Sequence, residues 1–462
     1  MKWSKSNILL NKIVISSFSI FLIIVLFSSS SSATWALHNH KLVEIHYVGE
    51  SDLSNDEQPP LRLLWSRDIG DSKGDPYYYE PIVSNENVYV LTEQWASDHR
   101  DALVALNPKT GSCNWYKRIP GDVELNVPVI GNNGIYVSSY RYSGDTCGLH
   151  AMDYNNGDIK WNVSFDSKMI SPPCYSNGLI FVYTYDLRNW GGNTIEIYAL
   201  KEDTGDIYWE RSIKEDKTHY TPIQPTKLVA TDGLLYVPSL TYRIYCLDSR
   251  SGEDIWESPL DCFLETNPAV HDNTLYFGTA GGYVYALDAR YGYSKWRYYA
   301  GSGYDDHFYS TPIVKDGILY SGEMDPYVTA VDAKTGTVMW ETKVKGDVDS
   351  SPVLYEDVIY ASSYDWYNDD TGYLYAFNRT TGSQEWVVDV GGDPSSPVID
   401  DGVIYLATYG DIYAFKILEK PQKVTIDKQE VDNQEHEESM SIFERILSII
   451  FRLNSKNEIV HG

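Results

Sequence analysis

Ala330-Val331-Asp332-Ala333-Lys334-Thr335-Gly336-Thr337-Val338-Met339-Trp340 is the stretch that decides the fold. It reads as the end of one apolar strand, a turn at the glycine, and a second strand carrying the tryptophan. The same eleven-residue frame ends at Trp115, Trp161, Trp209, Trp256, Trp296 and Trp386. Each has a glycine four residues before the tryptophan: Gly111, Gly157, Gly205, Gly252, Gly292 and Gly382. Each has a small residue ten before it: Ala105, Ala151, Ala199, Cys246, Ala286 and Ala376. Successive tryptophans lie 40 to 50 residues apart, the period of propeller blades.

A second signal lies upstream. A proline is followed eight residues later by Tyr or Phe at Pro81/Tyr89, Pro128/Tyr136, Pro173/Phe181, Pro268/Tyr276, Pro312/Tyr320, Pro352/Tyr360 and Pro397/Tyr405. The fourth unit departs from it, with Leu228 before Tyr236. Turn pairs such as Asp316-Gly317 and Asp401-Gly402 sit between the two marks and cue hairpins. Each unit therefore reads as four antiparallel strands: A from the proline, B with the tyrosine, C with the small residue, D with the tryptophan. Such a sheet cannot bury both faces alone, so blades must stack around an axis. The tryptophan supplies an apolar plate for the next blade and an indole N–H for a backbone carbonyl. The turn glycine is expected at positive φ.

Seven full units end at Trp386, and the chain then supplies strands A to C only, Ser396-Pro397 through Tyr413-Ala414-Phe415. The missing strand stands at the other end, Leu61-Arg62-Leu63-Leu64-Trp65. The expected fold is thus all-β, an eight-bladed β-propeller over residues 61–417 with 3+1 strand closure, which leaves no open seam.

The frame resembles the tryptophan-docking motif of the PQQ-like, quinoprotein alcohol dehydrogenase-like repeat. It is also similar to the propeller of outer-membrane assembly lipoproteins of the BamB kind. The first resemblance implies a quinone over the ring centre, a calcium ion, an Asp base and a vicinal disulfide. The five cysteines, Cys113, Cys147, Cys174, Cys246 and Cys262, include no adjacent pair, and no calcium triad or catalytic Asp can be matched. The second resemblance implies a scaffold without catalytic residues, but its lipid-bearing cysteine has no counterpart after the apolar run here. In an exported protein four cysteines could pair; equally, all could be small buried strand residues.

Outside the ring, residues 1–36 read as a signal peptide or signal anchor: Lys2, Lys5 and Lys12 precede an apolar run within 8–27, followed by small residues. Residues 37–60 read as a linker, 418–440 as an acidic linker, and 441–453 as an amphipathic helix too short to span a bilayer. The propeller should therefore be extracytoplasmic, secreted or membrane-anchored at the cell surface, and 8–27 and 441–453 offer membrane contact. The chain has 65 acidic against 37 basic residues, a formal charge of −28, which argues against nucleic acid as a partner. Two sequons, Asn162-Val163-Ser164 and Asn378-Arg379-Thr380, would become usable on export.

The unusual residues gather between strands B and C. Trp95, Trp190, Trp366 and Tyr367 are candidates for a ligand-binding rim, where aromatic plates beside polar groups suit sugars or peptides. Asp365, Asn368, Asp369 and Asp370 could supply oxygen ligands to Ca²⁺, although their order is not that of an EF-hand. A further cluster, Asp305-Asp306-His307, reads as an exposed loop. The expected function is a non-catalytic propeller scaffold that binds a protein or glycan on one rim and requires no cofactor. The alternative is a quinone (PQQ)-dependent oxidoreductase.

Overall fold

The computed structural model describes residues 33–38, 41–46 and 60–418, except 69–79, 85, 93–101, 120–123, 142–145, 168, 186–193, 215–225, 240–241, 301–308, 324–325, 367–369 and 409–410. Ala33–His38 and Lys41–His46 form an antiparallel hairpin, so strands occupy part of the segment expected to be a linker. The apolar run 8–27 and the helix expected at 441–453 lie outside the described residues.

Eight antiparallel sheets follow, one per blade. Blade 6 shows the plan: Ile313–Lys315, Ile318–Glu323, Tyr327–Asp332 and Val338–Lys343 are its strands A to D. The stretch of strand A next to the A–B turn begins directly after the proline in every blade that has one, and directly after Leu228 in blade 4. In blades 2 and 3 strand A is split in two, as Glu124–Leu125 with Val129–Ile130 and Met169–Ile170 with Cys174–Ser176.

Pairing aligns the repeat marks across each sheet. Tyr320 lies opposite Ala330, and Ala330 opposite Trp340. The same row recurs through Tyr89, Ala105 and Trp115 in blade 1, and through Tyr405, Ala414 and Trp65 in blade 8. A bulge just before the tryptophan throws strand D into register, as between Ala330 and Val331. The tyrosine or phenylalanine ring lies 5.7 to 6.0 Å from its tryptophan in all eight blades. A small residue, alanine or Cys246, is needed between them because a larger side chain would occupy the space into which the two rings lean.

The core lies between blades. Trp65, Tyr405, Ile412 and Ala414 of blade 8 pack on Val88, Val90, Val104 and Leu106 of blade 1. Equivalent layers fill the other junctions. Seven of the eight tryptophan indole N–H groups donate to a carbonyl in the C–D turn of the next blade: Trp65 to Pro108, Trp115 to Tyr154, Trp161 to Glu202, Trp209 to Ser249, Trp256 to Ala289, Trp296 to Ala333 and Trp340 to Arg379, at 2.8 to 3.1 Å. The tyrosine hydroxyl of the same row often reaches the same carbonyl, as Tyr276 does at Ala333 (3.1 Å) and Tyr236 at Ala289 (3.0 Å). The glycine of that receiving turn is held twice over. Gly336 has φ +73°, and a Cβ there would lie 2.7 Å from the Trp296 ring.

Closure follows the sequence arithmetic. Leu61–Asp68 pairs with Asp411–Ile417 from Leu61↔Ile417 to Asp68↔Asp411, as strand D of blade 8. Because this strand arrives from the other end of the chain, blade 8 has no C–D turn to receive Trp386. That ring is buried instead with Leu61, Leu63, Phe415 and Ile417, the meeting chain ends. There the Leu418 N–H donates to the Pro60 carbonyl at 2.7 Å.

All five cysteines are free thiols: Cys147, Cys174 and Cys246 are buried, and Cys113 is exposed. Burial pushes the Cys147 and Cys246 thiols up to about 12. The paired alternative is therefore not the one adopted.

Trp65→Ala should cost about 3–5 kcal/mol, the usual penalty for emptying a Trp-sized core site. Deleting residues 61–67 should cause aggregation or a large drop in melting temperature, and deleting 441–462 should leave the melting transition in place. Calorimetry on the three variants checks this; an unchanged transition without 61–67 would mean that the ring closes differently.

Candidate functional site

Because strands alternate in direction, the start of A, the end of B, the start of C and the end of D share one face. The C–D turns that receive the tryptophans lie on the other. The first face therefore carries both the B–C connections and the prolines that open strand A.

At its centre the residues preceding those prolines form a ring: Glu80, Val127, Pro172, Lys227, Asn267, Thr311, Ser351 and Ser396, with Lys227 before Leu228 in blade 4. Blades latch to one another here. The Lys227 backbone N–H donates to Asn267 Oδ1 (3.0 Å), that of Thr311 to Ser351 Oγ (3.0 Å), and that of Ser351 to Ser396 Oγ (2.9 Å). One residue earlier a hydroxyl replaces part of the ladder. Ser171, Thr266, Ser310, Ser350 and Ser395 each accept the N–H of a strand B residue twelve positions on, at 2.9 to 3.1 Å. The kink at each proline pulls strand A off the ladder, and the hydroxyl satisfies the N–H left behind. The spacing Ser/Thr-x-Pro is a signal in the sequence that the Pro-to-Tyr spacing does not capture.

The ring opens into an axial cavity of about 550 Å³ to which all eight blades contribute. Its walls include Val129, Val229, Ile313, Val353, Val398 and Ile399. Glu80 lines the same cavity, and burial raises its carboxyl above the usual range while the Lys227 charge acts the other way.

Of the rim candidates, Trp366 is described. It is 51 % exposed at the end of strand B of blade 7, with its ring set edge-on against Tyr364 at 4.6 Å. Trp95, Trp190 and Tyr367 lie outside the described residues, as do Asp305, Asp306 and His307. Two of the four residues suggested for Ca²⁺ can be placed. Asp365 is buried, and its carbonyl accepts the Asp370 N–H at 3.0 Å; the Asp370 carboxylate accepts from the Tyr364 hydroxyl. Asn368 and Asp369 lie outside the described residues, and among the described residues no three acidic, His or Cys side chains converge as a metal site. The sequon residue Asn162 is exposed on strand D of blade 2, whereas Asn378 caps a C–D turn, its Oδ1 accepting from the Thr380 and Thr381 N–H groups. A Ser139–His150 pair (Oγ to Nε2, 2.8 Å) resembles a catalytic dyad, but both residues are buried within blade 2.

A family model described as outer membrane protein assembly factor BamB matches residues 126–211 and 193–415. The outer membrane protein assembly factor BamB of Moranella endobia (strain PCIT) is 25 % identical over 290 residues, 50 % of this chain and 71 % of that protein. A tetrathionate hydrolase of Acidithiobacillus ferrooxidans is 23 % identical over 238 residues, 43 % of this chain and 45 % of that enzyme. Among solved structures, BamB from Moraxella catarrhalis superposes with TM-score 0.56 at 18 % identity, covering 77 % of this chain and 97 % of that one. Quinohemoprotein alcohol dehydrogenase from Comamonas testosteroni gives 0.60 at 14 %, covering 79 % and 77 %. At these identities the structural matches establish the eight-bladed fold and nothing further.

Burial lowers the His150 imidazole from 6.5 to about 4. A histidine held neutral in the fold stabilises it above its unfolded pKa, and that stability drains away as pH falls from about 6.5 toward 4. Over that window the protein should lose about 2–3 kcal/mol at this residue. His150→Gln should flatten the corresponding part of the melting-temperature profile; an unchanged profile would show that the imidazole titrates freely in the fold.

Proposed function

We propose, from the premise that this chain belongs to the family of the outer membrane protein assembly factor BamB, that it is a non-catalytic scaffold. In this reading it works outside the cytoplasm, secreted or held at the membrane through residues 8–27 and 441–453, and binds a protein on the face that carries the B–C connections. The family match supports the scaffold class. The observation that supports the choice of face is Trp366, a large aromatic side chain left half in solvent and propped by Tyr364. Such exposed aromatics anchor partners, because they bury much apolar area at little conformational cost. Trp95, Trp190 and Tyr367 would extend the same rim. A glycan would use the same stacking surface and is the alternative ligand. Calcium at Asp365, Asn368, Asp369 and Asp370 would brace this loop.

The rival reading is a PQQ-dependent oxidoreductase, which the resemblance of the repeat frame to that of the quinoprotein alcohol dehydrogenases suggests. Against it stands the cysteine pattern: none of the five is adjacent to another, so the vicinal disulfide implied by that resemblance has no counterpart.

A photo-crosslinking residue at position 366 should capture an envelope protein in the native cell, and Trp366→Ala should reduce co-purification of that protein by about tenfold, the loss of one anchor worth about 1.4 kcal/mol. Binding on a glycan array that depends on Trp95, Trp190 and Trp366 would move the assignment to sugars. Dye-linked alcohol oxidation after addition of PQQ and Ca²⁺ would overturn the scaffold reading.

A further inference from the structure

The axial cavity holds two opposite charges that do not satisfy one another. Glu80 is the sole acidic residue of the eight-membered ring, and Lys227 the sole basic one. They stand three blades apart on the two sides of blades 2 and 3. Neither side chain has a hydrogen-bond or ion-pair partner among the described residues, and their separation exceeds that of an ion pair. Protein surrounds the carboxylate even though part of its surface faces the cavity. A charge so placed normally demands a partner, because losing water without one costs several kcal/mol.

The rest of the ring is neutral, and it is held in place by the latches at Asn267, Ser351 and Ser396. Beneath it the cavity walls are aliphatic, from Val129, Val229, Ile313, Val353 and Val398. The volume, about 550 Å³, falls within the range of small-molecule sites. The whole is a cavity open to solvent on one side, with aliphatic walls and a small number of convergent polar groups, a form that suits a small ligand.

We propose that the axial cavity binds a small zwitterion with an apolar body, a short peptide of aliphatic residues, its ammonium on Glu80 and its carboxylate on Lys227. One ligand then satisfies both charges, and its side chains replace water against the valines. Burial raises the Glu80 carboxyl against the opposing pull of the Lys227 charge, and an ammonium beside it would draw it back down. Binding here is independent of Trp366 and the outer rim, so it stands or falls separately from the scaffold reading.

The probe is leucyl-leucine, titrated calorimetrically into the full chain. Two blocked forms accompany it: N-acetyl-leucyl-leucine, which lacks the ammonium, and leucyl-leucinamide, which lacks the carboxylate. Leucyl-leucine should bind with a Kd at or below about 1 mM, and each blocked form about tenfold more weakly. Glu80→Gln should erase the preference for a free amine, and Lys227→Met the preference for a free carboxylate. Melting curves confirm that each variant folds. Should either single variant fail to fold, the exchanged pair Glu80→Lys with Lys227→Glu restores the charge balance and should bind leucyl-leucine in the reversed orientation. No binding of any form at about 10 mM to the folded wild-type chain, or binding indifferent to blocking and to both substitutions, would overturn the proposal.

Discussion

In seven of the eight blades one backbone carbonyl, in the turn between strands C and D, receives the indole N–H of the preceding blade's tryptophan, and the remainder of the ring depends on that contact. It explains the eleven-residue frame as a set of constraints acting between neighbours. The tryptophan must be large enough to reach across the junction. The residue opposite it must be small, as Ala330 is. The turn must end in glycine, because the arriving ring occupies the position of a Cβ at Gly336. Tyrosine on strand B adds its hydroxyl to the same acceptor at Ala289 and Ala333, which accounts for the preference for Tyr over Phe. Blade 3 has Phe181, and there Trp209 reaches Ser249 with the indole N–H as its polar link.

A ring built from identical contacts has to end somewhere, and the ends meet at the one junction without a receiving turn. There the N-terminal strand takes the place of strand D, and Trp386 rests on apolar side chains from both chain ends. Directional bonding at seven junctions gives way to plain burial at the eighth. The pairing of Leu61–Asp68 with Asp411–Ile417 compensates by converting two free edges into one continuous sheet.

The fold was legible because its determinants are local. Trp, Gly and the small residue recur at fixed short spacings, and the strand deficit at the C-terminus could be counted against the spare strand at Leu61. The site was less legible, for a physical reason. Glu80 and Lys227 are far apart in sequence, and nothing near either marks it; only closure of the ring brings them to one cavity. The hydroxyls at Ser350 and Ser395 carried no mark in the sequence, since a residue two before a proline says nothing by itself about an N–H twelve residues on. Cysteine pairing was open because spacing does not fix it, and Cys147, Cys174 and Cys246 proved to be compact side chains filling strand interiors. On the rim, Trp366 could be read as an exposed loop aromatic because the turn-rich sequence after it ends strand B.

The central claim is that each of the seven junctions with a receiving turn is held by tryptophan against turn glycine, and a double-mutant cycle between Trp296 and Gly336 measures it directly. In the wild-type background Gly336→Ala must bear both the left-handed backbone, about 1–2 kcal/mol, and the collision with the ring. In a Trp296→Ala background only the backbone strain remains. The account predicts a coupling energy above about 1 kcal/mol from denaturant unfolding of the four proteins. Additivity within about 0.5 kcal/mol would contradict it.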